Sequence, residues 1–246
     1  LALVIGSKDH RYTQMNSKKY KELLKTFLKQ GFHFQKFEDF NINKNCQVIL
    51  RHDVDFSVEM AVQMATLEKD LGVESTYFFL LASDSYNILS DSNIKSIKSI
   101  KDMGHSIGLH FDPKVYFNEK KGFEFELGVF ERLFGKVLSM SFHRPSKLVL
   151  EGVDWLPRRI LGAYEEKFFK DIAYISDSQG TFRFGHPFEH EAFSSCQNIQ
   201  LLIHPIWWMT DESLPIKKIQ RFLNSNTDLM SNHIAKNCIP WKKHNE

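Results

Sequence analysis

The chain has 246 residues, 42% of them hydrophobic and 22 of them Phe, enough for one buried core and compatible with a single domain. Its 32 Lys and Arg nearly balance 30 Asp and Glu, so no overall basic field drives nucleic-acid binding or an anionic membrane surface, and small or neutral substrates are favoured. Cys46, Cys196 and Cys238 are widely spaced and form no C-x-x-C pair, which argues against a disulfide framework and a zinc-thiolate site and for reduced thiols in a reducing compartment.

The opening LALVIGSKDH is apolar for only five residues and does not read as a secretory signal. No later run approaches the ~20 apolar residues that span a bilayer. A cytoplasmic protein without an integral membrane segment is the expectation. Residues 20–28 have helical spacing and stop at Gly31. Residues 47–50 form a buried strand that ends in polar Arg51-His52-Asp53-Val54-Asp55. Ser57 caps a helix running to about Leu71, with Gly72 as its stop. A strand follows over 76–81, a helix over 93–103 ending at Gly104, and a short strand over 106–110. His105 just before it is expected to face solvent. Residues 119–134 are helical, and 138–142 form a strand running into His143-Arg144-Pro145. Strands over 172–175 and 199–203 lead into Asp177 and His204, and a helix over 216–231 closes the chain.

Strands alternating with helices predict an α/β fold with a parallel sheet, and this length suits a barrel. Asp53 and Asp55, His110, Arg144, Asp177 and His204 all stand at C-terminal strand ends, the rim where parallel α/β architectures assemble active sites. Asp53 and Asp55 are two apart and so share one face of the sheet. Two carboxylates that close repel unless a cation or a shared proton relieves them, although a turn and helix cap would use the same residues. A carboxylate and a neutral imidazole, such as Asp55 and His110, are common zinc ligands.

Arg51-His52-Asp53-Val54-Asp55, Gly104-His105-Ser106-Ile107-Gly108-Leu109-His110, Arg144-Pro145 and Leu201-Leu202-Ile203-His204 resemble, in order, the motifs of the polysaccharide deacetylases (carbohydrate esterase family 4, the NodB-homology domain). The resemblance covers residues 48–205. It implies a distorted (β/α)-barrel and hydrolysis of an N-acetyl amide on a sugar. It further implies Asp53 as general base, Asp55 and His110 as ligands of a divalent metal, most naturally zinc, Arg144 orienting the base, and His204 as general acid. Asp177 falls where the family has an acidic residue that buttresses the Arg or the His.

One departure stands out. The family repeats a second His four residues after the first, and here that position is Lys114, which cannot ligate while protonated. Asp112 is the nearest replacement ligand and His143 the second. Trp207 and Trp208 offer a sugar-stacking wall, although core packing would use them equally well. His186 and His190 are four apart with Pro187 between them, and read as loop residues. The implied substrate is an N-acetylated sugar, nucleotide- or lipid-linked, in surface polysaccharide (O-antigen or capsule type) synthesis.

Two rival readings remain. Asp53-Val54-Asp55-Phe56-Ser57-Val58 also resembles the first motif of the haloacid-dehalogenase phosphatases, but Arg51-His52 interrupts the strand and no later Asp-Asp pair exists for magnesium. A non-catalytic sugar-binding relative would account for Lys114.

Overall fold

The structure is a computed structural model and describes residues 15–146, 150, 152–183 and 185–244. LALVIGSKDH lies outside them. Helices α1 (Ser17–Lys29), α2 (Val58–Asp70), α3 (Asp91–Asp102) and α4 (Glu119–Phe134) each begin on a side chain that accepts from the N–H three residues on. Asn16, Ser57, Ser90 and Asn118 fill that place, satisfying donors the first helical turn leaves unpaired. Gly72 takes φ +68° after α2, the left-handed stop its sequence position predicts.

Among the described residues eight strands form one sheet: β1 (His33–Gln35), β2 (Gln47–Val54), β3 (Thr76–Leu80), β4 (Ser106–Phe111), β5 (Ser139–Phe142), β6 (Leu161–Gly162), β7 (Ala173–Ser176) and β8 (Ile199–Ile203). Their order is β6-β5-β4-β3-β2-β8-β7, with β1 beside the first half of β2, and every pairing is parallel. The sheet curls without closing, with helices around it, as a distorted (β/α)-barrel does. Because all strands run one way, their C-terminal ends meet on one rim. A long helix, α5 (Pro215–Asn237), and a short one, α6 (Ile239–His244), finish the described chain.

Strand β2 departs from expectation. It continues through Arg51, His52 and Asp53 to Val54, buried at every position. A strand can carry polar residues into the interior when each finds a partner, and these do. On its convex side the sheet packs Val48, Leu50, Tyr77 and Leu109 into the main core. On the concave side a smaller cluster of Phe37, Ile49, Phe78 and Phe168 plugs the bottom of the barrel. Above it Gly108 brings β4 close to β5. A Cβ there would sit 2.3 Å from the Ser139 carbonyl oxygen, so only glycine fits.

Candidate active site and metal centre

The concave face is layered along β2. Ile49, Arg51 and Asp53 alternate onto it, the apolar plug lowest and the charges above. Arg51 is fully buried, stacked 4.6 Å over the Tyr164 ring. Its guanidinium donates to both oxygens of Asp53, at 2.9 and 2.7 Å, and to Gln200 Oε1 at 3.1 Å. Burial opposes ionisation of Asp53, but Arg51 beside it, together with His110 and His204, outweighs burial and holds the carboxyl below the usual carboxylate range. The cation paired with Asp53 is therefore Arg51. Arg144, expected in that place, instead pairs with Asp112 at 2.5 Å and is mostly exposed.

Above this layer three side chains from three strand ends converge. His110 Nε2 lies 3.2 Å from Asp55 Oδ1, His143 Nδ1 lies 3.4 Å from the same oxygen, and the two imidazole nitrogens are 3.1 Å apart. Asp55, His110 and His143 form a possible cation-binding group. Asp55 Oδ1 is buried with no hydrogen-bond partner: the imidazoles approach at ion-pair distance without hydrogen-bond alignment. Burial would raise the Asp55 carboxyl, but His110 and His143 pull it well below its ordinary value. His110 Nδ1 is 2.6 Å from Ser141 Oγ, and that hydroxyl donates to Asp53 Oδ1 at 3.2 Å. With its proton committed to Asp53, Ser141 must accept from His110 Nδ1–H, which turns Nε2 toward Asp55 and His143, the atom free to bind a cation when the ring is neutral.

Asp112, the first replacement considered for the missing histidine, is not part of this group. Its carboxylate caps the Lys114 N–H at 3.1 Å and takes the Arg144 guanidinium. The third side chain of the group is His143, one residue past the end of β5, which lies beside β4 in the sheet.

His204 faces the group from β8. Its Nδ1 is 2.6 Å from Asp177 Oδ1, and its Nε2 is 3.9 Å from Asp55 Oδ2. Asp177 is fully buried and also accepts from the His204 N–H at 3.1 Å and from Trp208 Nε1 at 2.7 Å. Burial disfavours the imidazolium, but the charge and hydrogen bond of Asp177, with Asp55 and Asp53 beyond, raise the His204 pKa to about 9. Trp207 and Trp208 sit in a single helical turn, Pro205–Trp208, and are both buried. Trp207 lines the cleft. Trp208 does not: it packs 5.5 Å from Tyr20 and anchors Asp177 from the core.

These groups open into a cleft of about 520 Å³ that Tyr164, Tyr174, Gln179 and Pro145 also line. Sequence reasoning left out Arg51, Ser141, Tyr164 and Tyr174. For Arg51 a signal existed, since it stands two before Asp53 and so shares its face.

Two further expectations are corrected. His105 is buried, between Ser75 Oγ at 2.9 Å and the Ala65 carbonyl at 3.1 Å. With His52 it surrounds buried Glu68 on the convex side of the sheet; His52 Nε2 is 2.7 Å from Glu68 Oε1. Cys46 and Cys196, expected as reduced thiols, are joined in a disulfide spanning 150 residues; Cys238 is free and exposed. Their separation in sequence concealed that the segments before β2 and β8 lie side by side.

No family model and no curated protein matches the chain by sequence. Among solved structures it is similar to a Streptococcus pyogenes deacetylase in complex with acetate, at 12% identity over 78% of this chain and 82% of that one, with a TM-score of 0.45. It is similar to a candidate polysaccharide deacetylase involved in O-antigen biosynthesis from Bordetella bronchiseptica, at 16% identity over 70% and 78%, with a TM-score of 0.41. A Bacillus anthracis pseudoenzyme of the CE4 family is similar at 13% identity over 75% of this chain and 63% of that chain, with a TM-score of 0.43.

Proposed function

We propose that this chain is a metal-dependent hydrolase that removes an N-acetyl group from a sugar. One observation carries the reading. An Asp-His-His donor set converges on a rim between an arginine-held carboxylate and an aspartate-held imidazole. The ordered motifs that resemble the polysaccharide deacetylases support the same conclusion.

The residues fit a divalent ion. Bonds of ~2.0–2.1 Å at tetrahedral angles set ligand atoms roughly 3.3 Å apart, and the three separations here are 3.1, 3.2 and 3.4 Å. The buried, unpartnered Asp55 Oδ1 calls for a cation in the same place. Asp55, His110 and His143 would hold it, and two imidazoles with one carboxylate suit zinc. A bound divalent ion supplies an acidified water and polarises a carbonyl, both of which an unreactive amide requires.

The chain's own groups then divide the proton work. Asp53, kept ionised by Arg51, accepts the proton of the attacking water. His204 carries its acidic proton on Nε2, because Nδ1 is committed to Asp177, and gives it to the departing amine. Trp207, Tyr164 and Tyr174 supply aromatic walls for a sugar ring. The substrate we propose is an N-acetylated sugar of surface polysaccharide synthesis, nucleotide- or lipid-linked. No described helix is long and apolar enough to cross a membrane. The Cys46–Cys196 bond removes the reduced-thiol ground for a cytoplasmic site of action, because such bonds persist in oxidising compartments.

Acetate release from N-acetylhexosamine donors by the zinc-loaded protein tests the reading. Asp53→Asn leaves the buried Arg51 charge unpaired and should lower stability, and its folded fraction should keep its metal and lose activity by about 10²–10⁴-fold. Phosphate release from phosphomonoesters without acetate would establish the phosphatase instead, and neither product would favour a sugar-binding relative.

A further inference from the structure

Trp208 does not line the cleft, yet one of its atoms reaches the site from behind. Its indole N–H donates to Asp177 Oδ2 at 2.7 Å, while Asp177 Oδ1 lies 2.6 Å from His204 Nδ1. The His204 backbone N–H lies 3.1 Å from both oxygens. Asp177 is fully buried, so N–H groups stand in for the water it has lost. Two of these donors belong to His204 itself. The third, from Trp208, fixes the carboxylate independently of the imidazole. The torsion that turns a carboxylate about its Cβ is broad and roughly two-fold, so nothing within Asp177 selects one orientation. An indole nitrogen is a donor only, carried on a rigid ring. With Oδ2 held by that donor, Oδ1 is aimed at Nδ1. The contact at Nδ1 in turn sets the ring so that Nε2 faces the cleft, 3.9 Å from Asp55 Oδ2.

The indole is itself braced. The ring of fully buried Tyr20 packs 5.5 Å from it, and that of Phe182 stands 6.2 Å away. The Tyr20 hydroxyl donates to Glu68, a fully buried carboxylate that also accepts from Ser75 at 2.7 Å and Tyr77 at 2.9 Å. The turn that carries Trp208 is tied down by Lys218, a buried lysine of α5 whose ammonium donates to the carbonyls of Trp207 and Met15. Glu68 and Lys218 take no part in the proposed proton work. Both hold the same turn, one through Tyr20 and one directly.

We infer that Trp208 is a positioning residue for the proposed general acid: its indole N–H locks Asp177 so that His204 is aligned to protonate the departing amine. The inference rests on the deacetylase reading and adds to it a residue that touches no substrate.

Two substrates that differ in their need for an acid separate positioning from packing. An N-acetylhexosamine expels an amine that must be protonated, whereas para-nitrophenyl acetate expels a stable phenolate that need not be. Trp208→Phe keeps an aromatic ring against Tyr20 and removes the N–H. In the zinc-loaded protein its kcat on the amide should fall about tenfold or more, since a misplacement of about 1 Å can cost about 10²-fold. KM, zinc content and the ester rate should stay close to wild type. Trp208→His is the converse, because its Nε2 takes the place of the indole nitrogen while the benzene ring is lost. It should lower stability and keep the amide-to-ester ratio. An equal fall on both substrates in Trp208→Phe, no fall on either, or a ratio lost in Trp208→His would overturn the inference. A second readout needs no turnover. Proton NMR at neutral pH should show the His204 Nδ1 proton far downfield, identified by its loss in His204→Gln, and in Trp208→Phe it should move upfield and exchange faster with solvent. An unchanged resonance in folded Trp208→Phe would overturn the inference even in a protein that released no acetate, an outcome that removes the deacetylase reading separately.

Discussion

Ser141 joins the two halves of the site. Its hydroxyl donates to Asp53 at 3.2 Å and stands 2.6 Å from His110 Nδ1, so one side chain fixes both the proposed base and the tautomer of the proposed ligand. Removing it strands the buried His110 Nδ1–H, at a cost of about 1–3 kcal/mol, while Asp53 Oδ1 keeps its Arg51 donor. Ser141→Ala should weaken zinc affinity about 10–100-fold, read by competition with a chelating dye, and should lower kcat in the metal-saturated protein. Unchanged affinity would show that His110 needs no such orientation.

Arg51, rather than Arg144, should govern Asp53. Breaking a buried pair by removing one partner costs about 3–5 kcal/mol, so Arg51→Met is expected to lower stability strongly. Arg51→Lys keeps the charge but loses the two-pronged contact and should retain the fold while losing activity. Arg144→Lys, where the arginine is mostly exposed and the cation is kept for Asp112, should change stability by less than about 1 kcal/mol. Chemical denaturation and steady-state rates on the two lysine variants distinguish the roles.

Much of this arrangement is legible in the sequence, and the parts that are not share a cause. Strand–helix alternation and glycine stops locate β2, β4, β8 and helices α1 to α4 because apolar period and capping chemistry are local. Asp53, Asp55, His110, Asp177 and His204 are legible for the same reason, each standing at or next to a strand end. Proximity along the chain ranks Asp112 ahead of His143 as the third member of the candidate metal group. Parallel pairing of β5 with β4 instead delivers His143 from 33 residues away. The Cys46–Cys196 bond and the Arg51–Asp53 pair depend likewise on strand order and side-chain direction, which spacing alone does not encode. The burial of His105 depends on Glu68 arriving from α2.

The pH profile should report His204. Its protonated form acts as the acid, so activity is expected to persist through neutral pH and fall on the alkaline side, at a pH below the metal-free value of about 9 because a divalent cation on Asp55 opposes the imidazolium. The linked stability has the same sign. A folded pKa raised above the ordinary histidine value gives stabilisation present in full below about 6.5 and lost as pH rises through about 9. Asp177→Asn removes the charge that raises it and should move the alkaline limb of kcat toward neutrality. An alkaline limb that stays near its wild-type position in Asp177→Asn would assign it to another group.

Thiol titration of the denatured protein should find one free thiol, Cys238, before reduction and three after. Reduction should lower the melting temperature, since a native disulfide closing a long loop contributes about 2–5 kcal/mol. Three thiols in the unreduced protein, purified without reductant, would contradict the bond.

The central claim is that Asp55, His110 and His143 together hold a divalent ion, and elemental analysis of purified variants tests it most directly. Wild type and Asp112→Ala should each carry close to one zinc per chain, while Asp55→Ala, His110→Ala and His143→Ala should fold and carry little. Full occupancy in His143→Ala, or its loss in Asp112→Ala, would contradict the account.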